Sequence, residues 1–61
     1  MNLADVDEHT LSLFLPDMDS GDLVISIRQM NCCDQEKIFT KIGRISGNEY
    51  ADLVKSAVLQ S

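Results

Sequence analysis

The densest group of chemically capable side chains is the acidic run Asp17-Met18-Asp19-Ser20-Gly21-Asp22. Carboxylates at alternate positions, followed by glycine, are how a calcium-binding loop opens. Such a loop also needs an oxygen ligand at its fifth position, glycine at its sixth and a carboxylate at its twelfth. Here those positions hold Gly21, Asp22 and Arg28. The run therefore reads first as a solvated turn. Its second reading is an acidic docking point, made of Asp17, Asp19 and Asp22, for a partner with a basic surface.

The other reactive groups point away from catalysis. Cys32 and Cys33 are adjacent, which is the spacing of neither a zinc knuckle nor a Cys-x-x-Cys redox motif. Asp34 and Glu36 beside them work against a reactive thiolate, so the pair reads as small apolar residues at a strand end, with redox sensing as the alternative. His9, next to Asp7 and Glu8, reads as an exposed group, with a pH-responsive role as the sharper alternative. No serine lies in a Gly-x-Ser-x-Gly elbow, and the 3 glycines are too scattered to cradle a phosphate. The expectation is a non-enzyme without metal or cofactor.

Lys37, Lys41 and Arg44 form a local basic cluster. On a helix they share a face at i, i+4 and i+7; on a strand, Lys37 and Lys41 share one face and Arg44 takes the other. Contact with a nucleic acid backbone is the alternative reading, but Phe39 is the lone aromatic among them and the rest of the chain repels phosphate. A solvated face paired with acids from the first third of the chain is the preferred reading.

The charge distribution says more than its total of −5. All the excess negative charge lies in residues 1–22, which contain Asp5, Asp7, Glu8, Asp17, Asp19 and Asp22 and no Lys or Arg. That opposes wrapping a nucleic acid and favours a basic partner or simple solubility. At 61 residues the chain has room for one domain, residues 1–61. A core of that size supplies only about 3–5 kcal/mol. Adjacent cysteines cannot close a useful loop, so self-association as a homodimer is the expected source of further burial. A hydrophobic share of 44% with 25% charged residues argues for a folded domain. The absence of a long apolar run and of a basic, apolar leader predicts a cytoplasmic protein with reduced thiols and no membrane partner.

The expected elements make an α+β fold: a small antiparallel sheet of two or three strands in a meander, with a C-terminal amphipathic helix packed on one face. Residues 1–9 read as a flexible segment or short helix, residues 10–45 as strands and residues 46–60 as the helix. Leu11, Leu13 and Leu15 alternate up to Pro16, which favours a strand over a helix from Leu3 to Phe14. Leu23, Ile25 and Ile27 alternate in the same way over Leu23 to Met30. Residues 36–45 are read as a third strand on propensity, against a helix with Asp34 as N-cap and Gly43 as stop. The C-terminal helix has a capping box, Ser46 to Glu49, and a stripe of Tyr50, Leu53, Val54, Ala57 and Val58. Leu59 falls off that stripe.

The tail Ser56 to Ser61 resembles, at Leu59-Gln60-Ser61, the Leu-Gln-Ser cleavage site of coronavirus main proteases. The resemblance carries no function. The functional expectation is a small acidic non-enzymatic interaction module, a homodimeric regulator or inhibitor that binds another macromolecule. The alternatives are a nucleic-acid mimic presenting Asp17, Asp19 and Asp22, and a weak nucleic-acid binder using Lys37, Lys41 and Arg44.

Overall fold

The computed structural model describes residues 2–60 and contains four α-helices: α1 (Glu8–Phe14), α2 (Ser20–Arg28), α3 (Cys32–Ser46) and α4 (Asn48–Leu59). Short 3-10 turns at Leu3–Asp5 and Leu15–Asp17 lead into and out of α1. No described residue lies in a strand, so the expected α+β architecture is overturned in favour of a small helical bundle.

The alternation at residues 10–15 does not correspond to a shared face. Leu11 is fully buried while Leu13 is 61% exposed. Residues 10–14 belong to α1, and Pro16 sits in the following 3-10 turn, where its missing amide donor costs nothing. The competing helix from Leu3 onward is interrupted because Val6 and Asp7 are both extended.

The expected strand Leu23 to Met30 is overturned in the same way. Asp19 caps α2, its carboxylate accepting from the Gly21 amide at 3.1 Å. Asp22 lies in the first turn and Arg28 in the last, each at the end of the helix dipole that favours its charge. Leu23 and Ile27, one turn apart, enter the core, and Ile25 between them points outward at 55% exposure.

Residues 36–45 form the middle of α3 rather than a third strand. The helix begins earlier than Asp34: Asn31 is the cap, accepting from the Asp34 amide at 2.9 Å. Ile38 and Ile42 are fully buried, and Phe39 and Ile45 pack against the core. Strand propensity is overridden because a helix places these side chains in one row against Ala51, Val54 and Val58 of α4. Gly43 does not stop the helix. A Cβ there would stand 2.9 Å from Asn48 Oδ1 and 3.7 Å from the Ala51 Cβ, so its bareness lets α4 begin close against α3. The stop is Gly47, whose φ of +96° makes the sharp reversal between the two helices.

The C-terminal helix is present with most of its expected stripe turned inward, but its start and the place of Leu53 differ from expectation. Ser46 closes α3, and Gly47 precedes α4 without a side-chain cap, so the Ser46–Glu49 capping box does not form. The buried face is Ala51, Val54 and Val58, flanked by half-buried Tyr50 and Ala57. Leu53 is turned out at 69% exposure, and Leu59 is exposed as well.

Long polar side chains satisfy the carbonyl ends of three elements. Gln35 Nε2 donates to Ile27 O (3.1 Å) and Met30 O (3.3 Å) at the end of α2. The Arg28 guanidinium donates to Ala57 O (2.8 Å) and Gln60 O (2.7 Å) at the end of α4. Lys41 Nζ donates to Ala4 O (2.6 Å) and Val6 O (2.8 Å), tying the N-terminal turn to α3. The radius of gyration is 10.3 Å, against about 10.5 Å for a folded chain of this length. A single copy therefore reaches the dimensions of a folded domain. No helix among the described residues is long and apolar enough to cross a membrane.

Candidate functional site

Asp17, Asp19 and Asp22 are all exposed and gather at the N-terminal end of α2. Two have structural duties there: Asp19 caps the helix and Asp22 complements its dipole. Among the described residues, no group of three or more His, Cys, Asp or Glu side chains is placed to hold a metal ion.

The basic cluster lies on one outward face of α3, around a shallow depression of about 460 Å³. Lys41 is committed to the carbonyls of Ala4 and Val6, and Arg44 stands 3.8 Å from Glu8. The expected pairing of these bases with acids from the first third is therefore seen at Arg44. Cys32 and Cys33 are free, exposed thiols in the first turn of α3, not residues at a strand end. His9 is exposed on α1, and the Ser12 hydroxyl donates to the His9 backbone carbonyl at 2.6 Å. The Asp7 carboxyl is held below its ordinary value, chiefly by the Thr10 hydroxyl, with the Thr10 amide and the charge of His9 adding to it.

One surface feature was not singled out by the sequence. α2 and α4 leave between them an open groove of about 660 Å³. Val24 and Ile25 form its α2 wall; Tyr50, Leu53, Val54 and Ala57 form its α4 wall. Ser20 and Gly21 close one end, Arg28 and Gln60 the other. Tyr50 also borders a second hollow of about 390 Å³ with Leu15, Pro16 and Ile45. On the outer side of Leu53, Glu49, Asp52 and Ser56 line a further depression.

The groove is poorly suited to a small polar ligand. Such a ligand needs a few convergent polar groups to fix its orientation. The guanidinium of Arg28 already serves two carbonyls. Most of the remaining lining is aliphatic or aromatic, with Ile25 and Leu53 as its most prominent exposed members, and Ser20 and Gln60 lie at its ends. The signal for it in the sequence was slight: a large apolar residue on α2 and another on α4 that the buried helical rows do not use.

No protein-family model matches this chain, and no curated protein or solved structure shows a match to it.

Proposed function

We propose that this protein is a small, acidic, non-enzymatic interaction module, a regulator or inhibitor that works by occupying a surface of another macromolecule. The observation that carries this reading is the pair Ile25 and Leu53, 55% and 69% exposed on facing walls of one groove. Isolated exposed aliphatics are ordinary, whereas a continuous apolar groove is characteristic of binding surfaces. The net charge of −5, with its acids concentrated in the first third, favours a partner with a basic surface.

The test is affinity capture from the native host, using the chain as bait and mass spectrometry for detection. A macromolecule retained specifically over a charge-matched control protein is the expected result. Capture of nothing above that control contradicts the reading.

The modest core supports a second assembly, a homodimer, because added apolar burial would stabilise so short a chain. Sedimentation equilibrium over a range of concentrations reads this directly, with a rising average mass expected for self-association. A nucleic-acid mimic has less support, since it rests on Asp17, Asp19 and Asp22 alone and leaves the apolar groove without a role. Direct nucleic acid binding also has less support, since Lys41 is tied to the carbonyls of Ala4 and Val6 and the net charge is −5.

A further inference from the structure

We infer that the groove between α2 and α4 is the docking site for an amphipathic helix of a partner protein, one carrying Lys or Arg beside its apolar stripe. This rests on the interaction-module reading above and specifies the site and the chemistry of its occupant.

The shape argues for a helix. α2 has 9 residues, so its axis is about 13 Å long. A helix laid along such a wall presents about two turns, and its i, i+3, i+4 and i+7 positions supply the apolar contacts. The walls offer side chains, not backbone. Both are helices whose backbone groups are paired internally, so an extended peptide finds no strand edge to join.

The charge around the groove argues for basic flanks. At the Gly21 end, the Asp19 carboxylate lies on the Gly21 amide, with Asp22 exposed on the same first turn. Along the α4 rim, Glu49 and Asp52 share the depression outside Leu53. The cation lining the groove, Arg28, stands at the opposite end, where its Nη2 donates to the carbonyls of Ala57 and Gln60. An apolar stripe docked between these rims therefore has carboxylates beside it, and Lys or Arg at its edges meets them. A second copy docked face to face brings a groove lined by one cation, Arg28, and rimmed by the same acids, so it supplies few basic flanks of its own.

A displayed library of random short peptides, selected on the whole chain, tests this. Counter-selection uses the double variant Ile25→Ser with Leu53→Ser. Both residues are largely exposed, so the variant keeps its fold, which its far-ultraviolet circular dichroism and melting profile verify. Leu13→Ser, outside the groove and 61% exposed, serves as the matched surface control. Peptides with apolar residues at helical spacing and flanking Lys or Arg are expected to emerge. Their affinity should fall about tenfold or more on the double variant, the loss expected of anchor residues. It should be unchanged on Leu13→Ser and weaken as salt rises.

Enriched peptides lacking that spacing or charge would overturn the inference, as would binding indifferent to the double variant. A concentration-dependent dimer abolished by the double variant would overturn it too, in favour of a second copy as the occupant. These failures are distinct from failure of the broader reading. A captured host partner that binds the double variant as well as the wild type leaves the module and removes the groove.

Discussion

The outer face of α3 and the groove between α2 and α4 treat their side chains in opposite ways. On the α3 face, Lys41 ties down the N-terminal turn and Arg44 stands in an exposed ion pair with Glu8. On the groove face, Ile25 and Leu53 are left largely exposed. The acids divide similarly, with Asp19 working as a helix cap while Glu49 and Asp52 border the groove. The difference teaches that eye-catching charge in a short helical chain can be structural hardware. Unused apolar surface is then the better guide to function.

The comparison can be broken most severely through the core that both faces share. Ile42 is fully buried between α3 and α4, and Ile42→Ala should cost about 2–5 kcal/mol. For a chain this small that is most of its stability, so loss of cooperative melting by circular dichroism is the expected outcome. Lys41→Met tests the α3 face specifically. It strips two charge-assisted hydrogen bonds from the carbonyls of Ala4 and Val6, at about 1.5–3 kcal/mol. A urea midpoint equal to the wild type would show that this lysine is not structural.

Smaller effects sharpen the contrast. The double variant Ile25→Ser with Leu53→Ser should move the urea-derived stability by no more than about 0.5 kcal/mol, as for ordinary surface substitutions. A larger fall would make those residues part of the core. Arg44→Met should cost less than about 1 kcal/mol in the same assay, because its ion pair is exposed and long at 3.8 Å. Asp7 gives the slightest and most pH-specific effect. Its folded-state value is depressed, so its contribution is present above the ordinary value of 3.8 and is lost as pH falls below that through the folded value. Asp7→Asn should remove that part of the acid-side decline in melting temperature and leave other acid-side changes in place.

Some of this was legible in the chain itself. The C-terminal helix could be read from its 3.6-residue period, and the exposure of Leu59 followed from its position off the stripe. The helical alternative for residues 36–45 was visible in Ile38 and Ile42, but β-branched composition outweighed it, since propensity cannot register the row of α4 side chains waiting opposite. α2 was misread for a more informative reason. Leu23 and Ile27 fit a helix and a strand equally well, and Ile25 tipped the balance towards alternation. Leu53 likewise rotated the expected face of α4. Of the three exposed residues that misled the periodicity, Ile25 and Leu53 are walls of the groove, whereas Leu13 lies outside it. At all three, alternation in the sequence disagrees with the face the helix turns to the core. The caps were also available: Asp19 and Asn31 each stand three residues before an aspartate, just ahead of a helical run. The groove itself was not legible, because it depends on which faces α2 and α4 turn towards each other.

The most direct test of the central claim is an amide chemical-shift map of the labelled chain, titrated with the tightest peptide from the displayed library. Shifts confined to α2 and α4, centred on Val24, Ile25, Leu53 and Ala57, with the Lys37 to Arg44 face of α3 unmoved, are the result predicted. Shifts centred on that α3 face, with the groove silent, would contradict it.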